Sequence, residues 1–236
     1  MSFIIAVHVN EGIVLASDRR TTYTRTQQNG DRTIERIGIH VTNSAEKTFV
    51  CPNGAGISMC GDASLNNKPL SGFLKEIIRS KIEKDTPVQD MPQIISDGFD
   101  EKMALPDTNL IIAGYDKNSE YPSQVIKRLF LRNKSVEDIG TSAQGAVWDG
   151  ETTTLSRLLQ DVAVKSADGH CEDLPSEGVS WQYFTLQDAV DFARYAVNVT
   201  IETMHFKDMV ETVGGGVDLL VITPDKTWWI EKAQLS

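Results

Sequence analysis

Met1-Ser2-Phe3-Ile4-Ile5-Ala6-Val7-His8-Val9, then Asn10-Glu11-Gly12, then Ile13-Val14-Leu15-Ala16-Ser17-Asp18-Arg19-Arg20: the reading of this opening stretch decides the fold. Phe3–Val9 is rich in Ile and Val, Asn10–Gly12 has turn residues, and Ile13–Ala16 is a second apolar run leading straight back. That pattern predicts a β-hairpin. Working outward, Thr21–Ala45 is polar and reads as a protruding loop or small extra hairpin ending near Val41. Lys47–Cys51 and Gly56–Cys60 form a second strand pair around Pro52-Asn53-Gly54. The period then changes: Leu70, Phe73, Leu74, Ile77, Ile78 and Ile82 fall at helical spacing and predict a helix over Ser64–Lys84. A second helix is expected over Val88–Met103, with Ile94, Ile95 and Phe99 inward.

Strands return at Asn109–Tyr115 and Gln124–Leu131, and Gly140–Gly145 reads as a tight turn leading into a helix near Thr152–Val164. Ser166–Gln182 has no period and reads as a surface insertion. Leu186–Met209 is a long helical pattern that Gly214-Gly215-Gly216 would stop. Val217–Ile222 and Trp228–Glu231 close the chain as a hairpin. This order suits two packed sheets with a helical layer on each outer face, an α+β, four-layer αββα sandwich. One domain over 1–236 is expected, with insertions near 23–45 and 166–182.

The apolar runs are too short to span a bilayer and no export signal opens the chain. Cys51, Cys60 and Cys171 are too few for a disulfide framework, which places the chain in a reducing, cytoplasmic compartment. A net charge of −10 argues against a nucleic-acid partner, which would need a basic face. The four histidines show no ligand spacing, so neither a metal nor a cofactor is expected.

Taken together, Ser2 heading an apolar strand, Ala16-Ser17-Asp18-Arg19-Arg20, Lys47-Thr48-Phe49, Gly61-Asp62-Ala63, Ile139-Gly140-Thr141-Ser142 and Gly214–Ile222 occur in a specific order. In that order they resemble the β-type subunits of the proteasome and the related bacterial N-terminal-nucleophile hydrolases. The resemblance covers nearly the whole chain outside the two insertions. It implies that Ser2, exposed by removal of Met1, is a nucleophile with its own α-amine as base. That amine titrates near neutrality, at about 7.7–8. Lys47 would hold the amine's pKa down as a neighbouring cation, and Asp18 would pair with Lys47. Thr141, or Ser142 next to it, would align the amine and a water. The backbone N–H of Ser58 aligns with the family's oxyanion-hole donor.

Three positions depart from the family. Proteasome subunits use Thr as nucleophile, whose methyl group restricts χ1. The family's Asp beyond the long helix and its Ser before the glycines align with Val210 and Val213, so Asp208 or Glu211 would supply the carboxylate from a shifted position. The resemblance implies a peptide or unfolded-protein substrate, a ring-forming homo-oligomer and an ATPase unfoldase as partner. A small-molecule amidase or a non-catalytic ring subunit are the alternatives.

Overall fold

The computed structural model describes residues 2–30, 32–66, 68–99, 105–116, 122–175 and 177–233. Met1 and Met103 lie outside these. The chain opens with β1 (Phe3–Val9) and β2 (Gly12–Asp18), every residue of which is buried. Such unbroken burial requires cover on both faces of the sheet, and the alternation of side chains divides the strand between two cores. Phe3, Ile5 and Val7 join one apolar cluster, while Ile4 and Ala6 join another.

There follow β3 (Thr21–Asn29), β4 (Arg32–Thr42), β5 (Thr48–Val50), β6 (Gly56–Gly61), β7 (Ser64–Leu65), β8 (Lys68–Pro69), α1 (Leu70–Lys81) and α2 (Met91–Gly98). The next elements are β9 (Thr108–Asp116), β10 (Ser123–Phe130), β11 (Ser135–Ile139), β12 (Gly145–Gly150) and α3 (Thr153–Leu159). The chain closes with β13 (Ala163–Lys165), β14 (Cys171–Asp173), α4 (Leu186–His205), β15 (Val217–Ile222) and β16 (Thr227–Glu231). Two five-stranded antiparallel sheets dominate, in the orders β12-β1-β2-β15-β16 and β11-β10-β9-β6-β5. Ala189, Ala193 and Val197 of α4 pack on the first sheet, and Leu74, Ile77 and Ile95 of α1 and α2 on the second. A third cluster joins the sheets, with Ile4, Leu15 and Leu220 meeting Ile111 and Ile126.

Several expected boundaries move. At the start of the helix predicted from Ser64, Ser64–Leu65 pairs instead with Lys68–Pro69, β7 with β8, because Pro69 cannot continue a helix backwards and Asn66 adopts φ +51°. The helix expected from Val88 opens as a 3-10 turn at Val88–Asp90 and becomes α-helical at Met91, with Pro92 in its first turn. The protruding segment is a hairpin, β3 with β4, that pairs with neither large sheet. Strands β11 and β12 are also unexpected, β12 lying in the stretch that the sequence reads as turn and helix lead-in. Helix α3 stops at Leu159, and Ala163–Lys165 pairs with β14 instead. Helix α4 starts at a capping box, Thr185 accepting from Asp188 N at 3.2 Å and donating its own N–H to Asp188 Oδ2 at 2.8 Å. It ends at His205, short of the expected Met209, since Phe206 and Met209 are exposed and add nothing to the core face.

Candidate active site

Hairpin geometry brings the start of β1 beside the end of β2. Phe3 N–H donates to Asp18 Oδ1 at 3.0 Å, and Asp18 pairs across the ladder with Val217. Lys47, just before β5, reaches the same oxygen with Nζ at 2.7 Å. Both charged side chains are essentially sealed from solvent, at 2% and 0% exposure. Asp18 Oδ2 accepts from Arg20 N and Gly214 N, each at 3.0 Å. A carboxylate has about four lone-pair sites, and Asp18 fills them with these donors. Lys47 gives a second hydrogen bond to the Arg20 carbonyl. Burial pushes the Lys47 ammonium below its ordinary pKa, and the Asp18 carboxylate only partly offsets it.

Ser2 is buried against a cleft of about 30 Å³, room for a water or two, whose lining includes Thr21, Lys47, Met59, Cys60 and Gly61. The Ser2 carbonyl accepts from Glu151 N at 2.8 Å. Gly150, with φ +89°, allows that approach: a Cβ there would lie 1.9 Å from the Ser2 carbonyl oxygen. Behind it, burial and then the Asp149 carboxylate push the Cys60 thiol's pKa up, so that group is protonated.

The expected backbone donor, Ser58, is not in the cleft. It sits mid-strand in β6, fully buried, opposite Thr48 on one side and Ile111 on the other. Met59 N donates to Lys47 O at 2.9 Å on the β5 side, so alternation along the ladder turns Ser58 N–H the other way, towards β9. The same alternation sends Gly61 N–H to the β5 side, where β5 has not yet begun and the cleft opens. Gly61 holds φ +109°, and a Cβ would collide with the Asp107 carbonyl oxygen at 2.2 Å.

Thr141 and Ser142 also lie elsewhere. Thr141 Oγ1 donates to Gln124 O at 3.1 Å, Gln124 Nε2 to Val9 O at 2.6 Å, and Asn10 N to Gln144 Oε1 at 2.6 Å. This loop therefore abuts the β1–β2 turn, six residue steps from Phe3, or about 20 Å along a strand. The antiparallel register, with Phe3 opposite Gly150 and His8 opposite Gly145, leaves Asp149–Glu151 rather than Thr141 beside Ser2. Asp208 is exposed, whereas Glu211 binds the Arg20 guanidinium. Gly214–Gly216 is well beyond the end of α4 and does not stop it; instead Gly214 closes onto Asp18 and Arg19.

No protein-family model matches the chain, and no curated protein matches it. Among solved structures, the Gly-1 mutant of Anbu from Hyphomicrobium sp. strain MC1 is similar over 100% of this chain and 87% of that one, with a TM-score of 0.59 and 14% identity. The fold is that of a proteasome-like N-terminal-nucleophile hydrolase. At that identity the likeness speaks for the fold alone. Ser2 just before β1, Thr21 at the start of β3, Lys47 just before β5 and Met59–Gly61 at the end of β6 meet around the cleft. Gly61 and Gly150 were missed as site residues. Gly61 carries a sequence signal, a glycine at the end of a short apolar strand, whereas Gly150 carries none, because the strand that it ends reads as turn.

Proposed function

We propose that the chain is an amide hydrolase in which Ser2, made N-terminal by removal of Met1, is the nucleophile. The observation that carries this reading is Ser2 in the wall of a cleft beside a buried Lys47–Asp18 pair. A buried ammonium contributes little to stability even when it is paired, which supports a role for Lys47 other than holding the fold. In the proposed cycle the Ser2 hydroxyl loses its proton to the terminal amine, directly or through a water, as Oγ bonds to the carbonyl carbon. Lys47 keeps the amine basic only near neutrality, by repulsion. The Gly61 N–H, in place of Ser58, is the donor to the oxyanion. Collapse breaks the C–N bond, the leaving amine takes the proton, and water then hydrolyses the Ser2 ester.

Further readings belong with it. The four-layer αββα arrangement is supported by the three apolar clusters, one under each helix set and one between the sheets. Peptidase activity, the cytoplasm and a ring-forming homo-oligomer follow from the sequence resemblance, with an ATPase unfoldase as partner if folded protein is the substrate. The exposed apolar residues Leu158, Val162, Val164 and Leu174 are compatible with a covered surface. No helix among the described residues is long and apolar enough to cross a membrane. The small cleft beside Ser2 also suits a second reading, a small-molecule amidase. A fluorogenic panel of peptide and small acyl amides tests both. Turnover lost in Ser2→Ala and in Lys47→Ala, with melting curves retained in Ser2→Ala, supports the proposal, and wild-type turnover in Ser2→Ala refutes it.

A further inference from the structure

Arg20 sits in the link between β2 and β3, outside either ladder, and its peptide group frames the buried pair from both sides. Its N–H donates to Asp18 Oδ2 at 3.0 Å, while its carbonyl accepts from Lys47 Nζ. The position of the lysine ammonium thus depends on a backbone carbonyl in an irregular segment. That segment is held by the Arg20 side chain: Nε donates to Asn43 Oδ1 at 2.8 Å, and Nη1 bonds to Glu211 Oε2. Glu211 is itself secured. Its second oxygen accepts from His205 Nδ1 at 2.7 Å, and its carbonyl accepts from Thr22 Oγ1 at 3.2 Å.

We infer that Glu211 is a positioning residue for Lys47, acting through Arg20; this rests on the reading of Ser2, Lys47 and Asp18 as the reacting unit. Two effects act in the same direction. The Arg20 guanidinium is a second cation, lying against Gly214, whose N–H binds Asp18, and Glu211 neutralises it; the same contact keeps the Arg20 carbonyl on the lysine ammonium. Removing the carboxylate leaves Arg20 uncompensated and loosens the carbonyl, and each change disfavours charged Lys47. The pair itself is partly exposed, at 19% and 36%, where ion pairs contribute little to global stability. An anchor of that kind is recognised by its effect on the group it holds rather than by its effect on the melt.

The test compares wild type with Glu211→Gln, and uses His205→Gln and Glu211→Asp as milder variants. Titration of Lys47 by NMR on 15N-lysine protein in a Ser2→Ala background needs no turnover, so it decides the inference even if Ser2 proves not to be the nucleophile. Glu211→Gln should move the Lys47 midpoint downwards with an almost unchanged thermal midpoint, His205→Gln should do so less, and Glu211→Asp should restore it in part. In the Ser2 enzyme, kcat on the best amide should fall about ten- to a hundred-fold with KM nearly constant, the scale of a small misplacement. If Glu211→Gln leaves Lys47 titration and kcat where they were, Glu211 is an ordinary surface partner of Arg20 and the inference fails. Should Glu211→Gln not fold, His205→Gln and Glu211→Asp decide by the same two readouts. Loss of turnover in Glu211→Gln with no movement of Lys47 would also overturn it.

Discussion

Asp18 accepts from Phe3, Lys47, Arg20 and Gly214, and so ties together four segments far apart in sequence. Asp18→Asn should cost about 3–5 kcal/mol of stability, because it strands a buried ammonium; chemical denaturation measures it. Ser2→Ala, a small change at the strand terminus, should leave the same denaturation curve nearly unmoved. Gly150→Ala places a side chain on the Ser2 carbonyl and imposes φ +89° on a residue that resists it. The dihedral alone should cost about 1–3 kcal/mol, and turnover should fall with stability. For Glu211, the hydrogen bond from His205 and then Arg20 hold the carboxyl below its ordinary pKa. A depressed carboxyl contributes stability above its unfolded value, about 4.3, and loses it as pH falls through the lower folded value. Any stability difference between wild type and Glu211→Gln, small for so exposed a pair, should therefore be present at neutral pH and fade as pH falls through that lower value. That Asp18 ends up beside the start of β1 was legible because a short hairpin fixes which residues face each other, whereas Lys47 was suggested only by the family motif. Gly61 was not separable from Ser58 without the ladder, where one residue's shift reverses the direction of every N–H.

At the scale of elements, β12 is the strand whose absence from the sequence reading misplaced part of the site. Its six residues, Gly145-Ala146-Val147-Trp148-Asp149-Gly150, begin and end in glycine, a composition that reads as turn. Pairing with β1 overrides that local preference, and the register then sets Asp149–Glu151 beside Ser2 and carries Thr141 to the far end. The long apolar strands and α4 were readable because burial on both faces, or on a helical stripe, leaves an unambiguous period. The end of α4 was not, since Phe206 and Met209 continue an apolar pattern while lying on the surface. The start of α4 gives a separate check. Thr185→Ala removes the capping hydroxyl, and the midpoint of denaturation should report a loss of about 1 kcal/mol.

Across the whole molecule, the separation of buried from exposed thiols tests the packing of the two sheets. Cys51 and Cys60 lie in the core, with Cys51 pushed up to about 12 by burial, whereas Cys171 is exposed on β14. Native protein treated briefly with iodoacetamide should carry its adduct on Cys171, and denatured protein on all three thiols. Assembly is decided by light scattering, where a ring requires a mass several times the 26.1 kDa of the chain. The most direct measurement of the central claim is peptide-mapping mass spectrometry of active protein acylated with an activated p-nitrophenyl ester. The expected result is a chain that begins at Ser2, with the acyl group on Ser2 and no such adduct in Lys47→Ala. Active protein that retains Met1, or an acyl group that forms on another residue while Ser2 stays free, would contradict it.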